Sequence, residues 1–151
     1  MLLPLLALSA CGSSRGAVQR ATLDRWCAVQ RSVIDVPSLQ FAGDTKAQQL
    51  KLVDRYIAVY IELSVDGDGV PEAVRAGYSK MRDAMTRVRE RIDGGELLAS
   101  FQEGDADIAE LVRAGDTIDG QPVVGCGAPA GRTRSSVPAQ IGFTPVETSS
   151  P

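Results

Sequence analysis

The stretch PEAVRAGYSKMRDAMTRVRERIDGG, residues 71–95, decides the fold class. Val74, Tyr78, Met81, Met85, Val88 and Ile92 recur at alternating steps of four and three, which places them on one stripe of an α-helix. Such a heptad-like seam suits antiparallel packing in a bundle. Pro71 and Glu72 fit a helix start, because the missing proline N–H has no intrahelical partner there anyway and a carboxylate meets the positive end of the dipole. Gly94 and Gly95 fit its C-terminal cap. The outer face carries Arg75, Arg82 and Arg89 and the spaced pair Asp83 and Arg87, a solvated face in its simplest reading.

Upstream, Thr45 and Gln48 have the spacing of a capping box and predict a helix from Thr45 to about Leu63. Leu50, Val53, Ile57 and Tyr60 line one of its faces, and Leu52, Tyr56, Val59 and Leu63 another, so it is expected to be the central, most buried helix. In residues 18–36, Thr22, Trp26, Val29, Val33 and Val36 form one more stripe, which Pro37 should end. A fourth helical region is expected over Glu96 to Ala114, with Leu97, Phe101, Ile108 and Leu111 facing the core, a break near Gly104, and loss of periodicity after Gly115. The pattern predicts an all-α fold, a small three- to four-helix bundle over residues 17–127. Residues 128–151, rich in Pro, Ser, Thr and Gly, are expected to be a disordered tail.

The chain has 151 residues and a formal charge of −3, which gives no general electrostatic case for nucleic acid as a partner. It has no histidine, and this excludes Ser-His-Asp and Cys-His nucleophile pairs, His-ligated zinc and histidine pH switches within the chain. Any catalysis would fall to carboxylates, Lys, Tyr or Arg.

Leu2 to Leu8 form a short apolar run, followed at once by Leu8-Ser9-Ala10-Cys11. This resembles a bacterial lipobox, in which small residues before the cysteine admit a peptidase and the thiol receives the lipid. Residues 1–10 are then a lipoprotein signal peptide, Cys11 the lipidated residue and 11–16 a tether, on the extracytoplasmic face of the cell membrane. Two or more acyl chains, palmitate among them, would make the anchoring stable, at ~0.8 kcal/mol per buried CH₂. No Lys or Arg precedes Arg15, so the missing positive n-region is expected upstream of Met1. The competing reading is a soluble protein with an incidental apolar end, or a signal cut elsewhere. A membrane span is disfavoured, because ~20 apolar residues are needed.

With Cys11 lipidated, Cys27 and Cys126 remain, and export favours a disulfide between them. The alternatives are a buried free Cys27 with a reactive Cys126, or a metal site, which two cysteines cannot complete alone. Trp26-Cys27-Ala28, Pro71-Glu72 after a helical hairpin, and Cys126-Gly127 at the domain end resemble a group of small helical lipoproteins and secreted proteins of actinobacteria. The resemblance spans residues 20–127 and implies a disulfide-closed helical bundle without implying an activity. The Asp66-Gly67-Asp68-Gly69 turn and the long tail depart from it.

That turn also invites a calcium reading, but an EF-hand loop would need a ligand at Val70, glycine at Pro71 and glutamate at Gly77, so a polar turn accounts for it better. Arg82, Arg87, Arg89 and Arg91 could face an anion, and Glu103, Asp105, Asp107 and Glu110 could suggest acid chemistry or cation binding. A solvated face and complementarity to a helix dipole are the simpler accounts. Tyr78, Met81 and Met85 are candidate ligand-lining residues, because methionine adapts to irregular guests, although such a stripe is more often packed core. No catalytic residue, resident metal or cofactor is expected. The expected role is a non-enzymatic, membrane-anchored envelope interaction module, with an envelope protein as partner. The alternative is a carrier that holds a small apolar or lipid-like ligand inside the bundle.

Overall fold

The computed structural model describes residues 13–65, 67, 69–102, 104–121, 123 and 126. Cys11, the signal and tail segments, Asp66, Asp68 and Glu103 lie outside the described residues. Among the described residues the molecule is all-helical: α1 (Ser13–Ser32), α2 (Lys46–Ser64), α3 (Glu72–Asp93) and α4 (Ala106–Asp119), with 3-10 turns at Val33–Asp35, Leu39–Phe41 and Leu98–Ser100.

The expected seam of α3 holds in every member: Val74, Tyr78, Met81, Met85, Val88 and Ile92 are all fully buried. Its end is a Schellman motif. Glu96 N–H donates to Arg91 O at 3.0 Å and Gly95 N–H to Ile92 O at 3.0 Å, with Gly95 in the left-handed region at φ 108°. The capping box of α2 also forms: Gln48 N–H donates to Thr45 Oγ1 and Thr45 N–H to Gln48 Oε1.

The central helix is α3, not α2 as the sequence suggested. It packs against both α2 and α4, and buries Gly77 and Ala84 besides its seam. In α2 the buried set is Gln49, Leu52, Val53, Tyr56, Tyr60 and Leu63, so one stripe does the packing. Ile61 on the same helix stays 47% exposed. A β-carbon on Gly77 would lie 2.7 Å from Ile118 Cγ1, so glycine is what lets α4 approach α3 there.

Three further boundaries differ from expectation. The first helix begins at Ser13, inside the stretch assigned to the tether, and stops at Ser32 rather than running to Pro37. The Val33–Asp35 turn and Val36 continue the chain, with Val33 and Val36 still buried. Phe101, Ile108 and Leu111 face the core as expected, but Leu97 is 41% exposed and Leu98 packs inward in its place. The helix at this end starts only at Ala106 and continues to Asp119. Asp105 supplies the N-cap by accepting from Asp107 N–H at 3.0 Å. Gly115, read as the end of periodicity, is buried mid-helix, and Ile118 extends the apolar stripe one turn beyond it.

Among the described side chains of α1, Trp26 and Cys27 are buried. Trp26 Nε1–H donates to Leu63 O at 3.1 Å, and Leu23 packs over Gly69, so the middle of α1 lies beside the C-terminal end of α2. Cys27 and Cys126 are joined as a disulfide of sequence separation 99, which clips the chain after α4 back to α1. The metal and free-thiol alternatives for this pair are thereby set aside.

Candidate functional site

The molecule offers two chemically distinct clusters, one dry and one charged. The dry cluster collects the only Trp and all three Tyr of the chain. Trp26 meets Tyr78 edge-on at 6.0 Å between centroids, Tyr78 meets Tyr60 at 6.0 Å, and Tyr60 meets Tyr56 at 5.8 Å. Ring pairs at such separations add to the stabilisation from burial alone. Met81 and Met85, on the same stripe of α3 as Tyr78, are fully buried. The three candidate ligand-lining residues are therefore part of the packed interior.

The hydroxyls of this cluster are treated unequally. Tyr56 O–H donates to Pro37 O at 3.0 Å, which ties the segment after α1 to α2. Burial pushes its phenol up to about 12, against a smaller opposing pull from Arg55. Tyr60 is completely buried, and its hydroxyl has no hydrogen-bond partner among the described residues. Its phenol is held well above the ordinary range by burial first and then by the nearby Tyr56 and Tyr78.

The charged cluster lies between α3 and α4. Arg87 Nε–H donates to Asp107 Oδ1 at 2.6 Å, and its other arm pairs with Glu110. Arg91 donates to Asp105 Oδ2 at 2.6 Å, to Asp107 Oδ2 at 3.3 Å and to Glu96 Oε2 at 2.7 Å. The guanidinium of Arg91 also sits 4.0 Å above the Phe101 ring, a cation–π contact. Asp105 titrates below the usual carboxylate range. Burial alone would raise it, but the Arg91 bond, the N–H groups of Asp107 and Ile108 and the Arg91 charge together outweigh that.

This arrangement corrects one expectation and joins two others. Asp83 pairs with Arg82 at 2.7 Å, while Arg87 reaches across to α4. An α3–α4 contact puts better acceptors near Arg87 than its own helix does. The arginine row and the acidic cluster, read separately from the sequence, are two halves of one clasp. Arg89 is likewise taken up by Asp54 of α2 at 2.7 Å. With their charges matched internally, Arg82, Arg87, Arg89 and Arg91 do not make an open anion site.

One polar residue escaped the sequence reading. Gln49 is 4% exposed, and its amide joins two loops: Nε2–H donates to Gly43 O at 2.9 Å and Oε1 accepts from Leu98 N–H at 2.9 Å. A Gln at a seam position of an otherwise apolar stripe is the signal that marked it. Among the described residues no group of His, Cys, Asp and Glu could hold a metal ion. No described helix is long and apolar enough to cross a membrane.

No family model, curated protein or solved structure matches the chain. The likeness to actinobacterial lipoproteins rests on Trp26-Cys27-Ala28, Pro71-Glu72 and Cys126-Gly127 alone.

Proposed function

We propose that the chain is an extracytoplasmic lipoprotein, held on the cell membrane by acyl chains on Cys11 and serving as a non-enzymatic interaction module. The observation that carries this reading is the division of the three cysteines. Cys11 ends a lipobox-like Leu8-Ser9-Ala10-Cys11, while Cys27 and Cys126 pair with each other, as exported thiols do. The bundle supports a presenting role, because Arg87, Arg91 and their carboxylate partners are spent on holding α3 to α4. Intact mass of the membrane-extracted protein, with and without reductant, tests the proposal. The expected species has lost residues 1–10, carries acyl chains at Cys11 and gains a pair of hydrogens on reduction. An unprocessed, unacylated chain with all thiols already reduced overturns it.

A second reading, a carrier of a small apolar or lipid-like ligand, is favoured by the Tyr60 hydroxyl. A buried hydroxyl without a partner costs ~1–3 kcal/mol, and a ligand with one acceptor atom beside Met81 and Met85 would relieve it. Titration with dodecanoate should then shift the methyl resonances of both methionines. Unchanged methyl signals at saturating dodecanoate would remove the carrier reading for fatty acids.

A further inference from the structure

α1 is joined to the bundle more narrowly than the other helices are. Trp26 and Cys27 are the buried members among its described side chains, with Leu23 and Val29 half-buried beside them. Trp26 supplies a hydrogen bond to Leu63 O and an edge-on contact with Tyr78. Cys27 supplies a covalent bond, to Cys126 just past the end of α4. By contrast, α2 and α3 share the dry stripe, and α3 and α4 share the Gly77–Ile118 approach and the bonds of Arg87 and Arg91. Those contacts do not pass through α1.

The chain after α1 is fixed separately. Val33, Val36 and Leu39 are buried, and Tyr56 O–H holds Pro37 O at 3.0 Å. The joint between the narrowly held helix and this pinned segment therefore falls at Ser32, where α1 ends and the 3-10 turn begins. Local opening follows such divisions, because the part with the fewest buried contacts leaves at the lowest free energy.

We propose that the Cys27–Cys126 bond is a redox latch on α1: a dithiol that opens it releases α1 about Ser32 while α2, α3 and α4 stay assembled. Cys27 is buried and Cys126 half-buried, so the bond is approached from the Cys126 side. One thiolate of the dithiol attacks Cys126 Sγ, the Sγ–Sγ bond breaks, and Cys27 leaves as a thiolate and takes up a proton. The second thiolate attacks the dithiol sulfur of the mixed disulfide, and Cys126 leaves and is protonated in turn. The dithiol ends as a disulfide, two electrons and two protons having passed to the cysteine pair. Closed, the latch keeps Trp26 and the Tyr78 ring beside it away from water. Open, it bares both. On a chain held at Cys11, α1 links the lipid to the body, so opening turns a fixed body into a jointed one. That consequence rests on the anchored reading above, whereas the release of α1 does not.

The test compares the full chain in detergent, oxidised and after dithiothreitol, by hydrogen exchange and by the emission of Trp26, the single Trp of the chain. On reduction, amides of residues 22–32 are expected to exchange at least about tenfold faster, and the Trp26 emission to move to the red. Amides of α2, α3 and α4 should change by less than about twofold, and reoxidation should restore the starting state. Cys126→Ser should show the open pattern without reductant. Loss of protection throughout the bundle, unchanged exchange over residues 22–32, or a bond that dithiothreitol leaves closed in the absence of denaturant overturns the latch. Exchange reads the release whether or not Cys11 carries acyl chains. Such a failure therefore leaves the anchored reading standing, and intact mass tests that reading by itself.

Discussion

The two faces of α3 are held by different physics. Toward α2 the contact is a dry stripe of Tyr, Met, Val and Ile, fully withdrawn from water. Toward α4 it is a close backbone approach at Gly77 and the buried stripe of Ile108, Leu111, Ala114 and Ile118, flanked by a fan of arginine–carboxylate bonds from Arg87 and Arg91. The first gains free energy in proportion to apolar area and is indifferent to salt. The second gains little per ion pair, because its arginines are 43% and 31% exposed, but it fixes the register of a helix only 14 residues long. Apolar burial therefore holds α3 on both sides, and the charged fan helps to fix the position of α4.

The largest expected effect is on the dry side. Met81→Ala removes a fully buried side chain and should cost ~2–5 kcal/mol, read as a lower denaturation midpoint with an unchanged slope. A loss under about 1 kcal/mol would mean that the interior around Met81 is loosely packed, and the contrast between the two faces would fail. Gly77→Val should follow at ~1–3 kcal/mol from overpacking against Ile118. Its distinctive sign is local: amide exchange should accelerate in α4 before α2, whereas Met81→Ala should speed both.

Arg91→Ala should cost less, on the order of 1 kcal/mol, shared between an ion-pair network and the Phe101 contact. The pH dependence has a definite sign. Asp105 has a folded pKa below its unfolded value, so its contribution is present above the ordinary carboxylate range and is lost as pH falls through the folded value. Arg91→Ala should flatten that acid limb. High salt should narrow the difference between wild type and variant, and a variant gap that is constant in salt and pH would assign the effect to lost packing on Phe101.

These contrasts also explain which features were legible in the sequence. The α3 seam, the Thr45–Gln48 box and the Gly94–Gly95 stop follow from local rules, in which the interacting residues lie within a turn or two of one another. The central position of α3 was not legible, because α2 carries more apolar residues around its circumference and only the tertiary packing shows which stripe is used. Gly115 read as the end of periodicity and Gly77 had no place in the apolar pattern, yet both are buried where α3 and α4 pack. Arg87 and Arg91 find partners 14–23 residues away, beyond the reach of any i to i+4 rule, so the sequence supplied the members of the clasp without the pairing. Of the candidate site residues, Cys27 and Cys126 were legible through chemistry rather than spacing.

The smallest expected effect concerns two tyrosines on the dry side that differ by one hydrogen bond. Tyr56→Phe deletes the donor to Pro37 O and should cost ~0.5–1.5 kcal/mol, since it also leaves that carbonyl short of a partner. Tyr60→Phe deletes a hydroxyl that has no partner among the described residues, so it should be neutral or slightly stabilising by the same reasoning. Alkaline titration separates them further. The Tyr56 phenol is raised from 10.0 to about 12 in the folded chain, so its contribution is complete below the unfolded value and is lost as pH climbs from there through the folded one. Tyr56→Phe should remove its share of that decline and leave the share of Tyr60. If Tyr60→Phe instead destabilises as much as Tyr56→Phe at neutral pH, the Tyr60 hydroxyl has a partner in solution, and a molecule bound inside the bundle becomes the better account of the aromatic cluster.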